Sequence, residues 1–181
     1  MILTAQELRR YMDTDEEDQA LEARLSALEL LIRSYTHNNF QQRAVRRMAD
    51  IAGDMIVMDA LQPFRVGDTV QVTESDFNEG LYTVKEATDA AITVSGLQFD
   101  EDDVLVTRVV YPMDIKMGVV NLMKWELERR DKVGVSSETI SRHSVTYESM
   151  TDDNSIMGFP KSLMGFLRPY MRARFGQGVN A

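Results

Sequence analysis

Residues 141–147 read SRHSVTY, the place in the chain where a histidine stands among serines. Nucleophilic catalysis by serine needs a hydroxyl within hydrogen-bond reach of an imidazole that a carboxylate orients. The β-branched and hydroxyl-rich run around His143 reads as extended chain, in which consecutive residues lie on opposite faces, so Ser144 is turned away from it. Ser141, two positions back, is a poor partner at that separation, and no G-x-S-x-G elbow occurs in the sequence. No catalytic residue is expected, and His143 is read as a strand or loop histidine making packing or interface contacts.

The acidic runs invite a metal reading. An EF-hand loop opened at Asp13 needs glycine at its sixth position and glutamate at its twelfth, and finds Asp18 and Arg24. Opened at Asp152, it finds Met157 and Leu163. With two histidines, His37 and His143, and no cysteine, multi-histidine centres, thiolate sites, disulfides and thiol catalysis are all excluded. There is no P-loop and no G-x-G-x-x-G, so neither a metal nor a cofactor is expected. The 12 methionines read as adaptable core and interface filler.

A chain of 181 residues, 44% hydrophobic and 27% charged, suits one core domain with a smaller module attached. No window offers the ~18 uncharged apolar residues of a membrane span. MILTAQELRR at the amino terminus lacks the apolar region of a secretory signal, so a cytosolic setting and no membrane partner are expected. The formal charge of -9 argues against wrapping nucleic acid, whose nonspecific affinity comes from counterion release by lysine and arginine. The charge is unevenly placed: Phe64 to Tyr111 holds ten acidic and three basic residues, whereas Lys161 to Arg174 holds four basic and no acidic ones.

The elements that must position these residues follow from the pattern. Thr4 and Glu7 form a capping box that starts a helix running to about Met12. Leu21, Leu25, Leu28, Ile32 and Tyr35 lie on one face of a second helix, from Asp18 to near Thr36, with Asn38-Asn39 suited to the left-handed cap. Residues 43–59 admit a helix, but Gly53-Asp54 sits where a hairpin turns, and the hairpin is preferred. TVQVT (69–73), LYTVKEA (81–87), AITVS (91–95) and VLVTRVV (104–110) then read as short strands of an antiparallel barrel or sandwich. After Tyr111-Pro112, Ile115, Val119, Leu122, Met123 and Trp125 mark an amphipathic helix of about eighteen residues. Pro160 suits the first turn of a last helix through Leu163, Phe166, Leu167 and Tyr170, which Pro169 must kink or end.

The expected class is α+β: a helical core of about four helices (1–40 and 112–176), interrupted by a small antiparallel β barrel or sandwich (41–111), with a flexible tail at 177–181. The ends of the insertion, near 40 and 112, both abut helices.

Taken in order, SYTHNNF, FRVGDTVQV, EGLYTV, VVYPMDIKMGVVNLMKWEL, SSETISRHSVTY and GFPKSLMGFLRPYMRARF resemble the head-to-tail connector (adaptor, head-completion) proteins of long-tailed bacteriophages and prophages. The likeness spans nearly the whole chain. The insertion departs from the smallest members, which are essentially helical. The resemblance implies a non-enzymatic virion protein that assembles as a ring, typically a dodecamer, beneath the portal. It further implies the portal protein and a downstream connector or tail-completion protein as partners, with genomic DNA only passing through the channel. The location implied is the host cytoplasm during assembly and the virion neck afterwards.

Within that resemblance, Arg168, Tyr170, Arg172, Arg174 and Phe175 are the candidates for portal docking, being basic, aromatic and near an end of the chain. Glu138, Arg142, His143 and Tyr147 are the intersubunit candidates, on an extended segment near the interface or channel. The alternative is an acidic adaptor outside any virion, gripping another protein with its β module.

Overall fold

A computed structural model describes residues 1–59, 61–129, 137–140, 143–146 and 153–173. The chain divides into two compact units: one of Met1 with Asn38–Tyr111, the other of Ile2–His37 with the described residues of Pro112–Ala181. The class is α+β with an antiparallel seven-stranded sheet. Among the described residues, no helix is long and apolar enough to cross a membrane.

The sheet unit begins with a long strand, β1 (Gln41–Ala52), which turns at Gly53-Asp54 into β2 (Met55–Val57). Gly53 has φ 62°, a left-handed conformation that a residue without a Cβ adopts freely. The helical reading of 43–59 is thereby set aside. β3 (Thr69–Thr73), β4 (Gly80–Thr83), β5 (Glu86–Ala87), β6 (Ala91–Thr93) and β7 (Glu101–Val109) follow, in the spatial order β4-β3-β7-β1-β2-β6-β5.

Of the barrel or sandwich expected, the barrel is not closed. β4 and β5 are the two sheet edges and no ladder joins them. Instead the chain itself passes from one edge to the other: the Val84 amide donates to the Asp68 carbonyl and the Lys85 amide to that of Thr93, both 3.0 Å or less. Those two bonds interrupt LYTVKEA, which was expected as one strand. Alternation places Val70 and Val72 of β3, and Val104 and Val106 of β7, in a core completed by Ile51, Ile56, Phe64, Val84 and Ile92. The unit's two ends meet, since Gln41 pairs with Val109 and the Val110 amide donates to the Phe40 carbonyl at 2.9 Å.

The other unit opens with α1 (Ala5–Leu8). Its capping box is formed: Thr4 Oγ1 accepts from the Glu7 amide and the Glu7 carboxylate from the Thr4 amide. The helix is shorter than the expected run to Met12, because the Arg10 and Tyr11 amides reach back only three residues, to Glu7 and Leu8. Arg9 then staples the acidic connection, bonding the Thr14 and Glu16 carbonyls, both at 2.6 Å, and Asp18 at 2.8 Å. α2 (Asp18–Thr36) buries Leu21, Leu25, Leu28 and Ile32. His37 itself, at φ 49°, takes the left-handed cap expected of the asparagines after it. α3 (Met113–Arg129) buries Ile115, Val119, Leu122 and Met123, and Trp125 lies against Phe159 with centroids 5.3 Å apart.

Two short hairpins follow α3. β8 (Ser137–Ile140) pairs with β9 (His143–Thr146), and β10 (Ser155–Ile156) with β11 (Phe159–Pro160).

Ile56 is fully buried where β2 meets the rest of the sheet core. Ile56→Ala should cost about 2–5 kcal/mol, the range for deleting a large buried aliphatic side chain. Chemical denaturation followed by circular dichroism measures this, and a loss below ~0.5 kcal/mol would contradict the packing described.

Candidate functional site: the carboxyl-terminal strap

The segment expected as a last helix is not an α-helix. Pro160 belongs to β11, and beyond it lie two 3-10 turns, Lys161–Leu163 and Gly165–Tyr170. Pro169 has no amide to give to the Gly165 carbonyl, and Gly165 carries a high entropic cost in a helix, so the tighter i→i+3 bonds prevail. The Leu167 amide donates to Met164 at 3.1 Å and the Met171 amide to Arg168 at 3.4 Å.

Three contacts fix this strap to α2 and α3. Met164 and Leu167 are buried. The Phe166 ring lies over Gly118 of α3 so closely that a Cβ there would stand 2.3 Å from it. The Tyr170 hydroxyl donates to the Asp114 carboxylate in the first turn of α3, 2.7 and 2.8 Å from its two oxygens. The Arg172 amide donates to the Thr36 carbonyl, 2.9 Å away, meeting one of the orphan acceptors at the end of α2.

Of the five docking candidates, Arg168 and Arg172 are therefore exposed on a segment whose backbone is tied down, with exposed Met171 between them. Tyr170 is half-buried and engaged with Asp114, so it positions the strap. Arg174 and Phe175 lie outside the described residues. Of the intersubunit candidates, Glu138 stands opposite Val145, and His143 opposite Ile140, in the β8/β9 ladder. Arg142, in the connection between those strands, and Tyr147 lie outside the described residues. His143 and Ser144 are consecutive residues of β9, the extended setting on which the exclusion of a Ser-His pair rests.

The chain matches no protein-family model, and it matches no curated protein sequence.

A mostly apolar cavity of about 180 Å³ opens between α2, α3 and the β10/β11 hairpin, lined by Leu28, Leu31, Met123, Met157 and Phe159, with Arg24 and Glu126 paired at 3.4 Å on its rim. It is below the ~300 Å³ at which small-molecule sites begin. Among the described residues, no three acidic or histidine side chains converge to hold a metal.

Sequence reading missed the strap because its contacts join residues far apart: Tyr170 and Asp114 are separated by 56 positions. It also missed that Glu29 and Arg33 of α2 are buried, 3% and 8% exposed, since helical spacing alone assigns charged residues to the solvated face.

The hydrogen bond to Asp114, with lesser contributions from burial and the carboxylate's charge, holds the Tyr170 phenol above its ordinary range. A group whose pKa is raised on folding stabilises fully below its unfolded pKa, near 10, and loses that contribution as pH rises through the folded value. In Asp114→Asn, ultraviolet titration of tyrosinate should show one phenol ionising at lower pH than in the parent. Superimposable titration curves would remove the Tyr170–Asp114 bond from the account.

Proposed function

We propose that this chain is a structural head-to-tail connector: a non-enzymatic virion protein that forms a ring below a portal, extends the DNA channel and joins capsid to tail. The observation that carries the reading is the strap. A basic segment is fastened by its backbone and by Tyr170 to two helices, yet leaves the Arg168, Met171 and Arg172 side chains at the surface. An ordered arginine surface loses less entropy on docking than a free tail would. The resemblance of the sequence segments, taken in order, to connector proteins supports the same assignment.

In this reading the helices form a core interrupted by the sheet unit as an insertion, and the β8/β9 hairpin with Glu138, Arg142, His143 and Tyr147 meets the neighbouring subunit. Heterologous contacts of that kind close into a ring when the rotation permits. The partners are the portal, a downstream connector or tail-completion protein, and further copies of the chain. An acidic chain lining a channel repels phosphate and lets DNA pass. Assembly takes place in the host cytoplasm and ends at the virion neck.

Truncation is a poor test, because Tyr170 and Arg172 carry contacts of the helical unit. Substitution is better, since Arg168 and Arg172 project from an anchored backbone. Co-sedimentation of R168E/R172E with a portal ring from the same genome should show at least a tenfold loss of binding, or more than ~1.4 kcal/mol. The variant's circular dichroism should match the parent's. Unchanged binding by a folded variant would reject the strap as the docking element.

A further inference from the structure

The sheet unit carries an exposed aromatic pair. Phe77, between β3 and β4, and Phe99, just before β7, are 59% and 56% exposed, with ring centroids 4.9 Å apart. In contact with each other, the two rings make one contiguous exposed apolar patch rather than scattered single residues.

The loops beneath are firmly built. Asn78 is buried; its Oδ1 accepts from the Gln98 amide at 2.7 Å, and its Nδ2 donates to the Phe99 carbonyl at 2.9 Å and to the Glu101 carboxylate. Glu101 also accepts from Ser75 Oγ at 2.5 Å and from the amides of Asp76 and Phe77, at 2.7 and 3.3 Å. The Ser75 bond foremost, with those from Asn78, Asp76 and Phe77, holds this carboxyl below the ordinary carboxylate range although burial opposes it. Asp100 accepts from the Gly53 amide at 2.7 Å, tying the β1–β2 turn to the same platform. The rings are thus presented on a fixed backbone, which lowers the entropy lost on docking.

The surroundings select the partner's chemistry. Residues 74–79 and 98–103 contain seven acidic side chains and neither lysine nor arginine. Glu74, Asp76, Glu79, Asp100, Asp102 and Asp103 are exposed on the same two segments that carry the rings. A wholly apolar partner would desolvate these carboxylates without pairing them, and a nucleic acid would be repelled. A guanidinium satisfies both features: it stacks on aromatic faces, is weakly hydrated for a cation, and pairs bidentately with carboxylates.

We propose that the Phe77–Phe99 platform docks an arginine-bearing extended segment of another protein, with a guanidinium stacked on the rings and the exposed carboxylates of the same two segments matching its charge. This holds whether or not the chain serves as a connector.

The experiment is fluorescence anisotropy of the full chain with a labelled octapeptide of alternating arginine and leucine, beside its lysine counterpart. The arginine peptide should bind at least threefold more tightly than the lysine one. F77A/F99A should weaken it at least tenfold, and D102N/D103N should weaken it while flattening its salt dependence. All four substituted side chains are exposed, so unchanged circular dichroism is expected and is checked first for both variants. No binding, or binding that F77A/F99A leaves within twofold, would overturn the proposal. So would sedimentation showing self-association of the parent that F77A/F99A abolishes, since the platform would then belong to a second copy.

Discussion

The meeting of residues 40–41 with 109–110 is the constraint on which the sheet unit depends. Closing a loop of about 70 residues costs on the order of 4 kcal/mol of chain entropy, before any contact repays it. The repayment is the β1/β7 ladder, whose register runs from Gln41↔Val109 to Ile51↔Glu101, with shifts that let the longer β1 bend. Phe40 and Tyr111, with ring centroids 5.0 Å apart, pack at the same junction. Once that pair is made, β3 can add to one side of β7 and β2 to the other side of β1, and the short strands follow as edges.

The carboxyl-terminal strap solves a different problem. Neither 3-10 turn can hold itself, since the bonds are few and Pro169 contributes no amide. Order comes from side chains: Leu167 and Met164 in the core, Phe166 over Gly118, and Tyr170 on Asp114. Glycine at 118 lowers the intrinsic stability of α3 by about 1 kcal/mol relative to alanine, and in exchange permits the close approach of the Phe166 ring. The result is a basic surface on an ordered backbone.

Much of the local structure was legible in the residues themselves. The spacing of Leu21, Leu25, Leu28 and Ile32 marked α2, Thr4 with Glu7 marked the start of α1, and Gly53-Asp54 marked the β1–β2 turn, because each signal is carried by neighbours in sequence. What failed was set by distant partners. LYTVKEA splits into two strands because Val84 and Lys85 bond to Asp68 and Thr93, and of the barrel or sandwich expected the barrel is not closed because no ladder joins β4 to β5. The last helix was misread because apolar spacing suits an α-helix or a pair of 3-10 turns equally well until Gly165, Pro169 and the contacts to Asp114 and Gly118 decide between them. Of the docking candidates, the arginines were visible as charge, whereas the role of Tyr170 and the Phe77–Phe99 platform depended on residues that folding alone brings together.

The central claim, that the chain completes a ring on a portal, is tested most directly by electron microscopy of negatively stained portal rings with and without the protein. An added annular layer beneath the portal, matching its rotational symmetry, is the predicted result. Bare portal rings beside free protein, at concentrations where related components assemble, would contradict it.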